Sequence, residues 1–516
     1  MTQGELIDKL CCDMYSKASD VKYGFARFAV PWGRKYSDFR MKLEQSFKTT
    51  MRQFAKECGI MYLNGDFYYF NGKVYEKVSL FSISEAYEQL LERLGINDMS
   101  LNKTFRNDIF INTIKAYNEL HVRNDIQAFK NKVVDLRTVG LKDKRVTHPF
   151  SPDFHVIDYH PYNYDPLASA PIFNRFLREV LPDATQRHIL QMFLGLGLVQ
   201  SSDVFDKDNP QPRNTVEICL LLLGNGANGK SVLFNVICAL FGKSHISNID
   251  YDTMTADGDE GLRGRATIRS AVFNWSSDSD AKKFGKKNTA MFKRIVSGES
   301  YPYRLLGHDI DQAEQCPYLI FNLNEAPLIE EGTNGFMRRL QFVNFDVTIP
   351  KFKQDPNLAN KIINKELPGV FNWVVRGSRE IRRRHFKFPD STASLRSKLR
   401  SLLPSNPVYA WVRMFGMRPE PLAPGELSVY IKAEKLYGYY QKFSEINDLE
   451  ELTTVARFGR SLSAMKFTKM RKVDGYYYLC YGVTEEQLGK PVSVATISDN
   501  VRESVQEDKD SFIKYD

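Results

Sequence analysis

The sequence predicts an α/β protein organised around a strand–loop–helix core, and three adjacent segments carry that prediction. Residues 224–231 read Gly-Asn-Gly-Ala-Asn-Gly-Lys-Ser, which fits the G-x-x-x-x-G-K-S/T pattern of a phosphate-binding loop. The apolar run at 216–223 before the loop is typical of a buried parallel strand. The segment 232–241 after the loop has a helical pattern, and Gly242 is a suitable helix end.

The residue types in this loop suit a triphosphate. Glycines allow successive backbone N–H groups to turn toward phosphate oxygens, and the positive end of the following helix points at the same anion. Lys230 is expected to contact the β- and γ-phosphates, and the Ser231 hydroxyl to bind Mg²⁺. The predicted ATP-binding set is Gly224, Asn225, Gly226, Ala227, Asn228, Gly229, Lys230 and Ser231.

The composition bounds the class of protein. The 516 residues are more than one ordinary core holds, so several domains are expected. The formal net charge of +9 favours a polyanionic partner such as nucleic acid. The first residues have no signal-peptide pattern, and no apolar run approaches the ~20 residues of a membrane span. We therefore expect a cytoplasmic protein with no membrane partner. The seven cysteines form no C-x-x-C pair, which predicts reduced thiols and no zinc site.

The part of the chain before the core is predicted to form two further regions. Residues 1–60 are expected to be a helical segment, and residues 61–209 a mixed α+β domain. Within that domain, the aromatic segment 61–75 is interrupted by two Asn-Gly pairs, which predicts strands joined by tight turns. Its tyrosines and lysines fit either a packed β-meander, which we favour, or base stacking. Two amphipathic helices at 171–199 lead into a polar linker at 200–214, where we place the domain boundary.

Acidic residues follow the second predicted strand of the ATPase core, which we place at 210–350. The strand is the apolar run at 270–275, and Asp278 and Asp280 lie just beyond it. The carboxyl ends of parallel strands form the ligand-binding edge of an α/β sheet. A carboxylate at that edge can hold Mg²⁺ through its water shell and polarise the attacking water. Asp278 is the first candidate for both roles, and Asp280 is the second.

Two more segments complete the predicted phosphate chemistry. The apolar strand at 317–324 ends in Asn324. The amide of this residue can hydrogen-bond both the γ-phosphate and the attacking water if the strand lies between the first two. Arg338 and Arg339 stand just before a fourth predicted strand. Arginine suits the charge on a transferring phosphoryl group, and it often reaches that group from a neighbouring subunit.

The region after the core is predicted as a helical extension at 351–420, a winged-helix-like domain at 421–485 and a flexible tail at 486–516. The winged-helix-like domain is expected to contain two helices, at 427–442 and 455–465, and a basic hairpin with an Asp-Gly turn. Basic side chains of the hairpin would approach DNA phosphates, although the wing can instead serve protein contacts. The hairpin residues selected as DNA contacts are Lys469, Arg471 and Lys472.

The order of these motifs resembles that of superfamily 3 helicases of the phage and plasmid primase–helicase type, a group of AAA+ ATPases. The resemblance covers about 60–485 and is most specific in 216–345. Segments 292–304, 366–373 and 164–199 also resemble parts of that group. The resemblance implies an AAA+-like ATPase core that uses ATP and Mg²⁺. It also implies a homo-oligomeric ring, hexameric in the family, that moves along single-stranded DNA.

The resemblance also assigns roles by position. Arg339, in its Arg-Leu-x-Phe context, takes the position of the arginine finger, with Arg338 as the alternative. Asn324 takes the position of the phosphate sensor, whereas Asp278 stands where the family usually has a glutamate. A β-hairpin at 303–315 takes the position of the element that contacts DNA. The candidate DNA contacts of this hairpin are Arg304 and His308.

Together these observations predict an ATP-dependent DNA helicase of a phage or mobile element, acting on single-stranded and forked DNA during replication. Residues 1–60 are too short for the primase domain that many relatives carry, so we expect a separate primase among the partners. Two alternatives stay open. One is a replication initiator that binds origin DNA and uses ATP only for assembly. The other is a small-molecule kinase, since kinases share the phosphate-binding loop. Strand separation coupled to ATP hydrolysis distinguishes a helicase from both.

Overall fold

The protein divides into two compact units, Met1–Tyr164 and Asp165–Asp516. This division lies before the predicted linker at 200–214, because the helices at 171–195 belong to the second unit. The computed structural model describes residues 2–20, 48–63, 65–94, 103–136, 147–157, 159–199, 204–206, 209–213, 216–276, 283–284, 289–329, 334–389, 391–449 and 453–492.

The described part of the first unit combines helices with two small sheets. The helices are α1 (Gln3–Asp20), α2 (48–57), α3 (Leu80–Arg93) and α4 (Lys103–Tyr117). The strands are β1 (Ile60–Leu63), β2 (Asp66–Phe70), β3 (Tyr75–Val78), β4 (Ile126–Phe129), β5 (Val133–Asp135), β6 (Thr147–His148) and β7 (Tyr159–His160). The sheet orders are β1–β2–β3 and β6–β5–β4–β7.

The aromatic segment of the first unit is a packed meander. β1, β2 and β3 pair in antiparallel fashion. Gly65 and Gly72 lie in the turns with φ of 88° and 101°, backbone angles that favour glycine. Tyr68 and Tyr69 retain only 6% and 8% of their accessible surface. The meander prediction is therefore confirmed, and these two tyrosines are part of the packed interior rather than a base-stacking surface.

The second unit contains the remaining described elements. Its helices are α5 (Pro171–Val180), α6 (Ala184–Gly195), α7 (Lys230–Phe241), α8 (Tyr251–Thr255), α9 (Gly258–Ile268), α10 (Thr289–Val296), α11 (Asn334–Met337), α12 (Leu358–Arg383), α13 (Thr392–Leu402), α14 (Pro407–Met414), α15 (Ala433–Ile446), α16 (Val455–Ala464) and α17 (Glu485–Gly489). Its strands are β8 (Val204–Asp206), β9 (Asn209–Arg213), β10 (Cys219–Leu223), β11 (Ile246–Ser247), β12 (Phe273–Ser276), β13 (Lys283–Phe284), β14 (Tyr301–Arg304), β15 (Ile310–Ala313), β16 (Tyr318–Leu323), β17 (Leu328–Ile329), β18 (Leu340–Asn344), β19 (Ser428–Lys432), β20 (Lys469–Lys472) and β21 (Gly475–Tyr481). None of the helices in the described ranges has the length and apolarity needed to cross a membrane.

A five-stranded parallel sheet forms the centre of the second unit, in the order β11–β12–β16–β10–β18. Every residue of β10 and β16 is buried, as expected for strands inside a parallel sheet that is covered on both faces. β16 lies between β10 and β12, which is the position that the role predicted for Asn324 requires. The carboxyl ends of these three strands therefore meet at one edge of the sheet.

Two glycines allow helices α6 and α12 to approach backbone to backbone. A Cβ atom on Gly195 would lie 2.3 Å from the backbone nitrogen of Ser378, and one on Gly377 would lie 2.0 Å from the carbonyl oxygen of Gln191. Neither position has room for a side chain. The close contact joins α6, which precedes the sheet in sequence, to α12, which follows it.

The C-terminal part of the second unit is a small helical module with a three-stranded antiparallel sheet. Its elements run in the order α14, β19, α15, α16, β20 and β21, and the strand order in the sheet is β19–β21–β20. β20 and β21 form the predicted hairpin, in which Lys472 pairs with Gly475 across the Asp-Gly turn. β14 and β15 likewise form the hairpin predicted at 303–315, with Arg304 paired to Ile310.

Two predicted features differ in the structure. Residues 428–432 form strand β19, so the helix predicted at 427–442 begins at Ala433 instead. Ile431 is buried while Tyr430 is exposed, which is the alternation of a half-buried strand rather than of a helix. The polar segment predicted as a linker at 200–214 contains strands β8 and β9, which pair with each other in antiparallel fashion.

Candidate nucleotide site and nucleic-acid interface

The predicted phosphate-binding loop at 224–231 follows β10 and turns through left-handed backbone conformations. The φ angles are 40° at Gly226, 52° at Ala227 and 87° at Gly229. Consecutive N–H groups in such a turn can converge on one anion. The carbonyl of Ala227 accepts a hydrogen bond of 2.8 Å from the backbone N–H of Ile349, so the chain after β18 holds the loop in this shape.

Two buried polar side chains lie within the loop. Asn228 is 3% exposed, and its Nδ2 atom has no hydrogen-bond partner among the described residues. A buried donor in this state is suited to a ligand oxygen, since buried polar groups are normally paired. Lys230 is the first residue of α7, and its ammonium donates to the carbonyl oxygens of Gly224 and, at 3.4 Å, Leu323. These donors and the glycine-rich backbone fit the phosphates of a nucleotide.

Helix α5 packs directly against the loop. A Cβ atom on Gly229 would lie 2.8 Å from the Phe176 ring and 2.9 Å from Val180. The position of α5 is fixed by Glu366 of α12, whose carboxylate accepts two hydrogen bonds of 2.9 Å from backbone N–H groups in the first turn of α5. The carboxylate also neutralises the positive end of that helix. The region before the sheet thus helps to shape the candidate nucleotide site.

Asn324 lies at the same sheet edge as the loop. In the parallel pairing of β10 with β16, Leu223 is level with Leu323, so Asn324 follows at the level of Gly224. Asn324 is exposed, in keeping with a group that contacts ligand or water. The carbonyl of Leu323 accepts hydrogen bonds from both the Gly224 N–H and the Lys230 ammonium. Asn324 therefore directly follows a residue that contacts the loop lysine.

The predicted magnesium ligands are only partly described. Ser231 is exposed in the first turn of α7, beside Lys230. Asp278 and Asp280 lie outside the described residues, two and four positions beyond the end of β12. Within the described ranges, no group of three or more His, Cys, Asp or Glu side chains is arranged to hold a metal.

The predicted arginines lie at the opposite edge of the sheet. Arg339 immediately precedes β18, and its carbonyl accepts a 2.6 Å hydrogen bond from the N–H of Cys219 at the start of β10. The two strands pair from Cys219 with Leu340 to Leu223 with Asn344. Four residue steps of a strand span about 13 Å. Arg338 and Arg339 are therefore about one sheet length away from the phosphate-binding loop that follows Leu223.

The two arginines differ in exposure and in bonding. Glu217 contacts both guanidinium groups, at 2.7 Å from Arg338 and 2.9 Å from Arg339. The Arg339 side chain is only 11% exposed, and it also donates to the Ser297 hydroxyl at 2.9 Å and to the Gly335 carbonyl. The Arg338 side chain is 64% exposed. Arg339 is thus held inside the protein, whereas Arg338 projects from it.

The β14–β15 hairpin presents a mixed tip. Leu306 is 81% exposed, and His308 is also exposed. Arg304 lies on the hairpin arm, where its Nε donates to the His308 carbonyl at 2.9 Å and its Nη1 contacts Asp259 at 3.3 Å. The guanidinium of Arg304 therefore braces the hairpin against α9, and His308 is the basic side chain at the tip itself.

The three lysine and arginine candidates of the C-terminal hairpin lie on two different faces of its sheet. Lys469 pairs with Tyr478, whose ring is buried, and Arg471 pairs with Tyr476. Cross-strand partners share a face, so Lys469 and Arg471 lie on the same face as Tyr478, although their own side chains are exposed. Lys472, one position further, points to the opposite face.

A basic cleft of about 220 Å³ lies between α5, α6 and α12. Its lining includes Arg178, Arg187 and His188. Burial lowers the pKa of Arg187, and the nearby charge of Arg178 lowers it further. Burial also lowers the pKa of His188, and this effect outweighs the opposing attraction of Glu380 at 3.6 Å.

Sequence reasoning missed several residues that shape the site. Glu217 precedes β10 and joins the arginines that precede β18, a contact that follows only once these strands are known to be neighbours. Glu366 acts across 194 positions on Ile172. For Glu217, the one local signal in the sequence is that an acidic residue stands shortly before the strand that leads into the loop.

Comparisons with known proteins give partial matches. Residues 48–182 match the family model described as D5 N terminal like. The chain is 24% identical over 209 residues to "Putative helicase L207/L206" of Acanthamoeba polyphaga mimivirus, an alignment that covers 39% of this chain and 19% of that protein. It is 22% identical over 242 residues to "Putative primase C962R" of African swine fever virus, covering 46% of this chain and 23% of that protein. The matched region thus spans about a fifth of each relative.

Among solved structures, the apo C-terminal region of NrS-1 aligns with a TM-score of 0.39 and 10% identity, over 84% of this chain and 98% of that chain. A second apo structure of the same region aligns with a TM-score of 0.39 and 11% identity. The family match and the two viral relatives together support a relationship to primase–helicase proteins.

Proposed function

We propose that this protein is an ATP-driven DNA helicase of the superfamily 3, AAA+ type, acting as a homo-oligomeric, hexameric ring in the replication of a virus or mobile element. One observation carries the proposal. The phosphate-binding loop and Asn324 share the carboxyl edge of a parallel sheet, whereas Arg338 projects from the opposite edge. This is the arrangement expected when a nucleotide bound to one subunit is completed by an arginine of the next.

At the carboxyl edge, the chain's own groups would bind and orient the nucleotide. The loop N–H groups, Asn228 and Lys230 would hold the phosphates, and Ser231 would hold Mg²⁺. Bound ATP would supply the phosphoryl group that is transferred to water. Asn324 would orient that water, and Asp278, with Asp280 as the alternative, would polarise it.

At the opposite edge, Arg338 would reach the nucleotide of a neighbouring copy. The strand between Cys219 and Leu223 separates it from its own loop by about 13 Å, so Arg338 would serve a neighbouring copy rather than its own subunit. Arg338 is better suited than Arg339 because Arg339 is engaged with Ser297 and Gly335. Glu217 would hold the exposed guanidinium in position until the neighbouring phosphate replaces it. A head-to-tail contact of this kind would form the proposed ring if its rotation closes.

Two elements would contact DNA. The β14–β15 hairpin, with Leu306 and His308 at its tip, would contact the translocated single strand, supported by Arg304. The C-terminal module has the element order of a winged helix–turn–helix. Its helix α16 and the inner face of its hairpin, with Lys469 and Arg471, would approach duplex phosphates at a fork. A separate primase remains part of the proposed partner set, and the names of the two viral relatives agree with a role in replication.

The test is ATP hydrolysis measured with and without single-stranded DNA, for the wild type and for Lys230→Ala. The proposal predicts Mg²⁺-dependent hydrolysis that DNA stimulates and that the substitution abolishes. Hydrolysis that ignores DNA in an oligomeric preparation would instead favour the kinase or initiator alternatives.

A further inference from the structure

The three-stranded sheet β19–β21–β20 has two faces of different character. Tyr478 points to the inner face, where α16 covers it so closely that a Cβ atom on Gly459 would lie 3.3 Å from the tyrosine hydroxyl. Successive side chains of a strand point to opposite faces. The outer face of β21 therefore carries Tyr477, Leu479 and Tyr481.

The neighbouring strands extend this outer face. Tyr430 of β19 pairs with Leu479, and Met470 of β20 pairs with Tyr477. Tyr430 is 44% exposed and Met470 is 40% exposed. Because cross-strand partners share a face, the five side chains form one continuous aromatic and apolar surface. We call it the outer tyrosine face; its members are Tyr430, Met470, Tyr477, Leu479 and Tyr481.

A lysine ammonium lies among these rings. Lys472 Nζ is 4.3 Å from the ring centroid of Tyr430 and 4.7 Å from that of Tyr477. A cation at this distance is attracted to the ring faces. Lys432 lies at the same end of the sheet, but its ammonium is 3.9 Å from the carboxylate of Asp474. This carboxylate also accepts a 2.7 Å hydrogen bond from the Tyr477 hydroxyl, so the positive charge of this face comes from Lys472. The outer tyrosine face thus combines flat aromatic surface with positive charge, which is the combination that proteins use to bind single-stranded nucleic acids.

We propose that the outer tyrosine face binds single-stranded nucleic acid. Bases stack on the rings of Tyr430 and Tyr477 in place of the Lys472 ammonium, which then binds the phosphate between them. A duplex does not fit this surface, because its bases are already stacked on one another and expose only their edges in the grooves. A purely apolar protein partner would offer no negatively charged group to the ammonium held between the two rings.

Single-strand binding at this face deepens the proposed function, and the choice of nucleic acid as its partner rests on that function. Lys469 and Arg471 lie on the inner face of the same hairpin, whereas Lys472 and the tyrosines lie on the outer face. Duplex DNA and a single strand would therefore occupy opposite sides of one small module. That division suits a fork, where duplex and separated strand meet.

The test uses the full-length protein without nucleotide and measures fluorescence anisotropy of a labelled oligothymidylate and of a blunt duplex of equal length. The variant is Tyr430→Ala/Tyr477→Ala, and its matched control is Tyr430→Phe/Tyr477→Phe, which keeps both rings. Loss of one stacked base weakens single-strand binding by about 5- to 150-fold. We expect the alanine variant to lose at least about tenfold in single-strand affinity, with duplex affinity unchanged and with the phenylalanine control close to wild type.

A second variant tests the phosphate contact. Lys472→Ala should reduce the slope of log affinity against log salt by about 0.7 for the single strand, the value for one phosphate contact. Unchanged single-strand affinity in the double alanine variant overturns the proposal and leaves the face to a protein partner. An equal loss for single strand and duplex also overturns it, since stacking is specific to the single strand.

The failure of this inference is distinguishable from failure of the proposed function. ATP hydrolysis by the wild type reports on the nucleotide site and does not require the outer tyrosine face. If DNA stimulates that hydrolysis while the alanine variant binds single strands normally, only the inference is wrong. If the wild type binds single strands through these tyrosines but never hydrolyses ATP, only the proposed function is wrong.

Discussion

Replacing Arg338 by alanine should abolish ATP hydrolysis while leaving ATP binding intact. Glu217 holds the guanidinium at the end of β10 where Cys219 lies, and the strand from Cys219 to Leu223 before the loop spans about 13 Å, so we expect it to act on the nucleotide of another copy. Arginines that stabilise a transferring phosphoryl group in this way contribute about 10³- to 10⁵-fold in rate. We therefore expect Arg338→Ala to lose at least about a thousandfold in kcat, with nucleotide affinity close to wild type.

Mixing two inactive variants tests the contribution from a neighbouring copy. Lys230→Ala lacks the loop lysine but keeps Arg338, and Arg338→Ala has the reverse defect. In an equal mixture assembled at random into a head-to-tail ring, about a quarter of the interfaces combine an intact loop with an intact arginine. If the interfaces act independently, the mixture should recover about a quarter of wild-type hydrolysis, although each variant alone is inactive.

The matched control for Arg338→Ala is Arg383→Ala. Arg383 is also an exposed arginine paired with a carboxylate, with a side chain 58% exposed and 2.6 Å from Glu380, but it lies on α12. The Arg383→Ala variant should hydrolyse ATP at the wild-type rate. A mixture no more active than the sum of its components, in rings verified by size-exclusion chromatography, would refute the reasoning. Wild-type hydrolysis by Arg338→Ala alone would refute it as well.

Two further predictions concern stability. Gly377→Ala should destabilise the protein by about 1–3 kcal/mol, because its Cβ would lie 2.0 Å from the Gln191 carbonyl oxygen; urea unfolding measures the loss. Gly438→Ala is the helical control, since nothing lies within 4 Å of its Cβ, and it should stabilise by about 0.5–1 kcal/mol; equal effects of the two substitutions would contradict the packing argument. Burial lowers the pKa of His188 below its ordinary value, so the unfolded chain takes up that proton more readily. The contribution of this pKa difference to the free energy of unfolding is fully present above about pH 6.5, and it is lost as the pH falls through the folded-state pKa of His188. His188→Asn should therefore lose less stability than the wild type between about pH 7.5 and pH 5.5, and an equally steep fall in the variant would show that His188 is not responsible.

The sequence was sufficient to predict the strands of the candidate nucleotide site because their signals are local. About ten residues are enough to recognise each of three features: the glycine-rich loop, the buried run before it and the strand ending at Asn324. The structure has β10 and β16 where they were expected. The β14–β15 hairpin was predicted for the same reason. The rule that ligands gather at the carboxyl edge of a parallel sheet then indicates where the predicted site residues lie.

The features that the sequence did not reveal depend on distant contacts or on missing end signals. Helix α15 has no capping side-chain hydrogen bond at Lys432, so nothing in the sequence separates it from β19. β9 contains two prolines, Pro210 and Pro212, and proline argues against a strand. The difference between Arg338 and Arg339 depends on Ser297, which lies 42 positions away from Arg339.

The most direct test of the account is whether the purified protein separates a forked DNA duplex with ATP. The separation is measured as release of a labelled strand. The account predicts that the wild type separates the strands only with ATP and Mg²⁺, and that Lys230→Ala separates none. ATP hydrolysis by an oligomeric, DNA-bound wild type that leaves the duplex intact would contradict it, and would indicate an initiator that uses ATP for assembly.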